Sequence, residues 1–314
     1  MGRLAGPIDP ALDAGWTDPP DRKGFFTDTS VCIGCKACEV ACKEWNALPE
    51  DGLSFTGESY DNTSALGGST WRHVAFIEQP RRDDDDKDAA VGSAPPSAVT
   101  PLGMPSIGMP AADGTGVGAP GDVRWLMSSD VCKHCTHAAC LDVCPTGSLF
   151  RTEFGTVVVQ QEICNGCGYC VPACPYGVIE RREGPKGDVA VGVAQKCTLC
   201  YDRLGAGQTP ACAKACPTES IQYGNLDELR TTADARLAQL QGAGVAGARL
   251  YGESPDDGVG GAGAFFLLLD QPEVYGLPPD PVVCTRDLPS MWRRAGVAAV
   301  ALAGTVALCF GGRP

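Results

Sequence analysis

The chain has 314 residues, which is enough for one large domain or two small ones. Its formal net charge of −13 argues against nucleic acid and anionic lipid surfaces as partners. Only 7% of the residues are aromatic, whereas Gly and Pro number 40 and 25, so the composition predicts a loop-rich structure that needs more than hydrophobic burial to hold it together.

The first 31 residues contain repeated Pro and Asp and no apolar run. They predict an N-terminal tail, residues 1–31, without the pattern of a secretory signal peptide. Export of this chain would therefore depend on a partner or on an internal segment.

The first of four cysteine groups follows this tail. Cys32, Cys35, Cys38 and Cys42 have the spacing C-x2-C-x2-C-x3-C. A cubane iron–sulfur cluster has four irons that each bind one thiolate; three cysteines in one loop bind one cluster, and the fourth binds its neighbour. Gly34 lies inside the loop, where positive φ and a close approach to sulfur are expected. The group therefore predicts ligands of [4Fe–4S] clusters.

Residues 79–122 separate this group from the others. The stretch has two Arg and four Asp residues at 81–86 and continues with many Pro, Gly, Ala and Ser residues. Such a composition predicts a disordered, solvated insertion, and it favours a solvated charge run over a cation site.

The other three cysteine groups lie close together, and a Pro follows the last cysteine of each. The second has the spacing C-x2-C-x4-C-x3-C, the third repeats the first, and the fourth has C-x2-C-x11-C-x3-C. Their members are Cys132, Cys135, Cys140 and Cys144; Cys164, Cys167, Cys170 and Cys174; and Cys197, Cys200, Cys212 and Cys216. The phrases CPTGSL, CPYGVI and CPTESI, with the apolar run 157–159, predict a repeated strand–loop–short helix–strand unit, as in two-cluster ferredoxins.

The order of the groups predicts how they share ligands. The second and third groups are adjacent and should exchange their fourth cysteines, which leaves the first and fourth groups to pair across the chain. The four expected ligand sets are Cys132, Cys135, Cys140 and Cys174; Cys164, Cys167, Cys170 and Cys144; Cys32, Cys35, Cys38 and Cys216; and Cys197, Cys200, Cys212 and Cys42. Because every group is complete, we expect four [4Fe–4S] clusters and no three-iron centre.

Zinc and disulfides are the alternative explanations of these cysteines. Zinc usually takes two separated C-x2-C pairs, and disulfides between adjacent C-x2-C cysteines are usually catalytic, so both fit the spacing poorly. His134 and His137 lie in the second group, but four cysteines are already present there and leave no place for a histidine ligand. Cys284 and Cys309 stand outside the groups; Cys284 has no predicted role, and Cys309 is expected to be a small apolar filler of the C-terminal segment.

Five lysines lie in or beside the cysteine motifs of this acidic chain: Lys36, Lys43, Lys133, Lys196 and Lys214. Cluster–thiolate assemblies are anionic, so nearby ammonium groups should favour their reduced state. The alternative is that these are ordinary solvated lysines.

Two further elements are predicted after the cysteine groups. Residues 225–241 favour an amphipathic helix, with Asn225 as its N-cap, Glu228 completing a capping-box pattern and Gly242 at its end. Residues 295–312 contain no charge and would span about 27 Å as a helix, enough for a bilayer core; the alternative is a buried helix of a soluble protein. Trp292, Arg293 and Arg294 precede this segment as an interfacial anchor would.

With these motifs in view, the sequence resembles the iron–sulfur (beta) subunit of membrane-bound formate dehydrogenase, among the electron-transfer subunits of molybdopterin oxidoreductases. The resemblance covers nearly all of the chain except the tail and residues 79–122. It rests on residues 32–42 (CIGCKACEVAC) with 44–46 (EWN), on 196–203 (KCTLCYDR), and on GQ before PAC at 207–212. The pieces YG, GVGG, DQPE and YGLP between 251 and 278, followed by one membrane helix, resemble the formate branch.

The resemblance implies an α+β, loop-rich fold of two ferredoxin-like units, each with two [4Fe–4S] clusters, and one C-terminal transmembrane helix. The expected divisions are a tail, 1–31; a cluster domain, 32–224; a helix and extended segment, 225–291; and an anchor, 292–314. The family implies a catalytic alpha subunit with molybdopterin that oxidises formate, and a cytochrome b gamma subunit that reduces quinone. Its respiratory members place the cluster domain outside the cytoplasm, whereas the arginine bias at 286, 293 and 294 favours the cytoplasm.

Other functions remain as alternatives. The same relay could serve a hydrogenase, or a sulfur-compound or dimethyl-sulfoxide reductase. An enzyme that uses a cluster for radical or hydratase chemistry would need an open iron site, and the complete cysteine groups argue against it. A zinc-stabilised interaction module is a further alternative, and metal analysis would distinguish it because it would contain zinc and not iron with labile sulfide. No Gly-rich nucleotide loop, serine elbow or spare Cys/His constellation suggests a catalytic site in this chain.

Overall fold

The computed structural model describes residues 9–51, 61, 63, 65–80, 123–185, 190–286 and 288–310. Its strands are β1 Lys23–Asp28, β2 Arg72–Pro80, β3 Val123–Val131, β4 Leu149–Arg151, β5 Val157–Val159, β6 Glu180–Arg181, β7 Ala194–Gln195, β8 Ile221–Asn225, β9 Arg249–Tyr251 and β10 Ala264–Leu268. Its helices are α1 Pro10–Asp13, α2 Ala37–Trp45, α3 Ala139–Asp142, α4 Cys170–Ala173, α5 Tyr201–Gly205, α6 Ala211–Lys214, α7 Leu226–Gly242 and α8 Leu288–Phe310. The predicted mixture of short helices and strands is present.

A four-stranded sheet in the order β8-β1-β10-β9 forms the centre of the fold. Strand β1 pairs parallel with β10 and antiparallel with β8. Its two phenylalanines are fully buried on opposite faces, because side chains alternate across a strand. Phe26 stacks on Phe265 at 5.3 Å on the face that α7 covers, whereas Phe25 packs among cysteines of the first and fourth groups.

This sheet includes residues from two of the expected divisions of the chain. Residues 23–28, in the expected tail, are a central strand, because their short apolar run is buried by partners distant in sequence. The segment 225–291 contains α7, β9 and β10, and these two strands extend the same sheet. Sequence inspection missed both because strand pairing joins residues about 240 positions apart.

The predicted helix after the cysteine groups is confirmed as α7. Leu226, Leu229 and Ala233 are buried against the sheet, and Leu237 and Leu240 pack beside them. Asn225 is at the N-cap position, but its side chain does not cap a backbone amide. It accepts a hydrogen bond from the ammonium of Lys23 and donates to Glu228 at 3.2 Å, so the predicted capping box is replaced by side-chain contacts.

Strands β2 and β3 form an antiparallel hairpin from Arg72↔Val131 to Pro80↔Val123. The first two residues of the predicted insertion 79–122, Gln79 and Pro80, are therefore still paired in β2. The remainder of that predicted insertion, residues 81–122, lies outside the described residues. Because β2 and β3 are paired up to their ends, Pro80 and Val123, which flank this segment, lie next to each other.

Helix α8 contains the predicted membrane segment. Met291–Phe310 has a mean hydropathy of 1.4, and it is the one candidate span found among the described residues. None of its residues is buried against the rest of the described chain. The helix begins before the uncharged stretch, so the predicted anchor residues Trp292, Arg293 and Arg294 lie within its first two turns.

Candidate iron–sulfur cluster sites

A strand leads into each cysteine group. Strand β3 ends directly before Cys132, and β7 ends two residues before Cys197; β5 precedes Cys164, and a short 3₁₀ turn links β1 to Cys32. A short helix then carries later cysteines of each group. The predicted repeat of strand, loop and short helix is thus present in all four groups, and it turns each cysteine loop back on itself.

Two cavities are lined by cysteines from different groups. The first is lined by Cys132, Cys135 and Cys140 of the second group together with Cys174 of the third group. Cys140 lies on α3, and Cys174 follows α4 directly. His134 adopts a left-handed conformation with φ of 46° between the first two cysteines, which lets the loop reverse direction there.

The second cavity is lined by Cys32, Cys35, Cys38 and Cys216. The first three come from the loop and from α2, and Cys216 comes from the end of the fourth group. Gly34 has φ of 65° in this loop, and a Cβ there would lie 2.7 Å from the sulfur of Met127 and from the Phe76 ring. Glycine is therefore required for both conformation and space, as the motif predicted.

Members of the other two predicted sets influence one another's pKa values. Burial raises the pKa of Cys170 to about 11, and the thiols of Cys164, Cys167 and Cys144 contribute to the shift. Burial likewise raises the pKa of Cys42, with further contributions from Cys197, Cys212 and Cys200. Each of these two thiols therefore has the members of its predicted set as close neighbours.

Thiols of different sets are neighbours too. In each case burial is the largest cause of a raised pKa, and a thiol of another set adds to it. Cys38 has a pKa of about 11 and is influenced by Cys212; Cys197 has a pKa of about 12 and is influenced by Cys132; and Cys140 has a pKa of about 12 and is influenced by Cys170. These influences link the four expected sets in one order, each set named here by its first cysteine: the Cys32 set, the Cys197 set, the Cys132 set and the Cys164 set.

The arrangement of the thiols suits cubane clusters. All 18 cysteines are free thiols. In the described ranges, no three His, Cys, Asp or Glu side chains converge as closely as a single metal ion requires. At two of the expected sites four cysteines line a cavity, which fits a four-iron cluster better than zinc. Burial raises the pKa values of these thiols, and iron binding would offset that cost by stabilising the thiolates.

The five lysines beside the motifs have different environments. Lys36 forms ion pairs with Glu39 and Asp61, Lys43 pairs with Asp51, and Lys214 is exposed. Lys133 and Lys196 are both buried and line the first cavity. The alternative of an ordinary solvated lysine therefore does not apply to these last two.

The two histidines of the second group also differ. Nδ1 of His134 accepts a hydrogen bond from the Val157 amide at 3.1 Å. The pKa of His134 is well below its ordinary value because of burial and the nearby charges of Lys196 and Arg151. Its buried Nε2 has no hydrogen-bond partner within the described parts of the chain, and the ring lines the first cavity. His137 is partly exposed and packs against Gly260.

Arg72 is a site residue that sequence inspection missed. It is buried on β2, between cysteines of the first and fourth groups, with its guanidinium 5.0 Å from the Phe25 ring centre. It lies 30 residues after Cys42, so no spacing in the motifs points to it. The pairing of β2 with β3 is what brings it to the cysteines.

Comparison with known proteins places these sites in a family. Two models of a 4Fe-4S dicluster domain match residues 31–148 and 123–226. The nitrate-inducible formate dehydrogenase iron-sulfur subunit of Escherichia coli is 34% identical over 89% of this chain and 79% of its own length. The formate dehydrogenase-O iron-sulfur subunit of the same organism is 32% identical, over 93% and 85%.

More distant similarity extends to a second kind of reductase. The B subunit of the anaerobic dimethyl sulfoxide reductase of E. coli is 30% identical over 66% of this chain and 75% of its own length. Its match covers less of this chain than the matches to the formate dehydrogenase subunits. Since the nearly full-length matches and the cysteine sites agree, this chain belongs to the family of formate dehydrogenase iron–sulfur subunits.

Proposed function

We propose that this chain carries four [4Fe–4S] clusters and relays electrons within a formate dehydrogenase complex, without a catalytic site of its own. The observation that carries the proposal is the pair of cavities, each lined by three cysteines of one group and a fourth from another group. A cluster, when bound, supplies a one-electron redox centre. The chain's own part is to hold the clusters, to exclude water from the interior ones and to set their potentials.

The proposed ligands are the sixteen grouped cysteines. The sets are Cys32, Cys35, Cys38 and Cys216; Cys197, Cys200, Cys212 and Cys42; Cys132, Cys135, Cys140 and Cys174; and Cys164, Cys167, Cys170 and Cys144. Each set combines three cysteines of one group with the last cysteine of another. We accordingly propose two ferredoxin-like units: the second and third groups form one, and the first and fourth groups form the other, completed by β1 and the sheet.

The exposure of the thiols supports a relay with two open ends. Cys35 and Cys167 are exposed and belong to the first and last sets in this order, which we propose is the row of the relay. All four cysteines of the Cys197 set are buried, and the Cys132 set has one buried and three partly buried cysteines. Electrons can therefore enter and leave at the ends, where each set has one exposed cysteine, and the Cys197 set is the one most shielded from solvent.

The partners follow from the family. We propose a catalytic subunit with molybdopterin that oxidises formate at one end of the row, and a membrane cytochrome b that accepts electrons at the other. Helix α8 would anchor the chain beside that cytochrome as a single membrane pass. We place the cluster region outside the cytoplasm, as in respiratory members of the family; the arginines at 286, 293 and 294 alone would favour the opposite side.

The experiment is to purify the chain anaerobically with its native partners, count iron and labile sulfide, and add formate while recording electron paramagnetic resonance spectra. We expect about sixteen irons per chain, from four cubanes, and their reduction by formate. The same iron count without a response to formate would retain the relay but assign it to another catalytic partner. A sulfoxide, suggested by the dimethyl sulfoxide reductase relatives, would then be the first substrate to test as an oxidant of the reduced clusters. Zinc in place of iron would overturn the proposal.

A further inference from the structure

Two fully buried lysines line the cavity of the Cys132 set. Lys133 and Lys196 are 1% and 2% exposed, which is unusual for an ammonium group. Burial of a charge is costly unless an opposite charge or several hydrogen bonds compensate it. The partners of these two lysines therefore indicate what each one does.

Lys133 has its own counter-charge. Its ammonium forms an ion pair with Asp130, donates to the Val131 carbonyl at 2.9 Å, and lies 4.9 Å from the centre of the Phe266 ring. The pair of Lys133 and Asp130 is neutral as a whole. Its field at the cavity is that of a dipole and falls off faster than that of a single charge.

Lys196 has no such partner. Its ammonium donates to the carbonyl oxygens of Val157 and Cys197, the latter at 2.9 Å. In the part of the chain that the structure describes, it forms no ion pair with a carboxylate. An ammonium group has three donors, and the two carbonyl acceptors carry only partial negative charge. A full positive charge is thus left beside the cavity.

We propose that Lys196 sets the potential of the cluster held by Cys132, Cys135, Cys140 and Cys174, because its uncompensated ammonium is the counter-charge of that anionic assembly. The inference rests on the proposed function and extends it to a single residue. It also explains why a lysine occupies a fully buried position without a carboxylate partner.

The redox step concerned is a one-electron transfer. A neighbouring centre in the row is oxidised, the centre at this site is reduced, and no bond is made or broken. The added electron makes the assembly more negative, so a fixed positive charge favours the reduced form. Without that charge, reduction at this interior site becomes harder, and electrons crossing the row meet an uphill step.

The test compares three variants in the complete complex, purified anaerobically with its partners. Lys196→Gln removes the charge but keeps donors for the two carbonyls, and Lys196→Arg keeps the charge. The control, Lys133→Gln with Asp130→Asn, removes a neutral pair from the same cavity. Redox titration followed by electron paramagnetic resonance gives the potential of each centre, and the step lost in Cys140→Ser identifies this site.

At a fixed potential, we expect Lys196→Gln to lower the ratio of reduced to oxidised centre at this site by about tenfold, which is about 59 mV for one electron. Lys196→Arg and the control pair should change that ratio by less than about threefold. Full iron content with an unshifted potential in Lys196→Gln would overturn the inference. Loss of iron in Lys196→Gln but not in Lys196→Arg would support the inference, because only the first variant lacks the positive charge. Equal loss of iron in both variants would show that the site requires the shape of the lysine side chain and not its charge, and would overturn the inference.

The proposed function has a separate readout in the same experiment. If the unmodified complex lacks about sixteen irons per chain, the four-cluster proposal fails before the variants are compared. If the unmodified complex has about sixteen irons but Lys196→Gln leaves the potential at this site unchanged, the four-cluster proposal is retained and the proposed role of Lys196 is rejected.

Discussion

The guanidinium of Arg72 donates to the hydroxyl of Ser129 at 3.0 Å, and that hydroxyl lies 3.2 Å from the sulfur of Cys38. Nε and Nη2 of Arg72 are buried and have no hydrogen-bond partner among the residues that the structure describes. Although burial opposes the charged form, the thiols of Cys212 and Cys38 raise the pKa of Arg72 above its ordinary value. The guanidinium is therefore held by Ser129, beside thiols of two proposed cluster sites.

Replacement of Arg72 by Met should remove the counter-charge of two neighbouring sites. The thiols of Cys38, Cys42, Cys197 and Cys212 all bear on this guanidinium, so we expect iron content to fall from about sixteen toward about eight per chain. The measurement is iron and labile sulfide per chain after anaerobic purification. Arg124→Met is the matched control, since Arg124 lies near the other end of the same hairpin and pairs with Asp270. Equal losses in the two variants would contradict this role.

Exchange of ligands between groups can be tested at Cys216. Replacement by Ser should damage the site of Cys32, Cys35 and Cys38 more than the site formed by the other cysteines of its own group. Spectra of the reduced chain should therefore lose or alter one centre, and mutation of Cys35 should alter the same one. Cys284→Ser, at an exposed cysteine outside the groups, should change nothing. Damage confined to the fourth-group site would refute the exchange.

Substitution of two glycines with similar backbone conformations distinguishes the cost of backbone strain from the cost of side-chain crowding. Gly34→Ala places a Cβ 2.7 Å from Met127 and Phe76 in addition to the cost of φ at 65°, whereas Gly147 has φ of 69° with nothing within 4 Å. We expect Gly147→Ala to destabilise the protein by about 1–2 kcal/mol. Gly34→Ala should cost more and should also reduce occupancy of the first site.

Thermal unfolding of the two variants under anaerobic conditions, together with iron content, gives the comparison. Gly147→Ala should retain full iron. Equal effects on stability and on iron would mean that the close contacts around Gly34 relax freely.

Removal of iron should loosen the cysteine loops more than the sheet. The apolar cluster of Phe26, Leu226, Leu229, Phe265 and Leu267 contains no cysteine, whereas the cluster around Phe25 is built partly from ligand thiols. After chelation, hydrogen exchange should accelerate in α3, α4 and their loops, and amides of β10 and α7 should remain protected longest. Uniform loss of protection would show that the sheet also depends on the clusters.

Introduction of one charged residue into α8 tests whether this helix is a membrane anchor. Leu302 is 67% exposed in the middle of α8, and Leu302→Arg should disfavour insertion by about 2.5–3.5 kcal/mol. We expect the variant chain to move from the membrane fraction to the soluble fraction when it is produced without its partners. Leu12→Arg, at an exposed position of α1, is the control and should not change fractionation. An unchanged distribution of Leu302→Arg would argue that α8 is not an anchor.

The sequence by itself determined the chemistry of this protein, because cluster ligands come from short cysteine spacings that are read directly along the chain. The repeat units, α7 and the apolar C-terminal segment were also predictable, since each depends on local periodicity or composition. The tertiary structure alone decided which residues surround the ligands. Strand β1 looked like a tail until its pairing with β10 buried Phe25 and Phe26. Arg72 became a site residue only when strand pairing buried it, and burial is also what distinguishes Lys196 from the exposed or paired lysines beside the motifs. Burial of a charge cannot be read from its position in a motif.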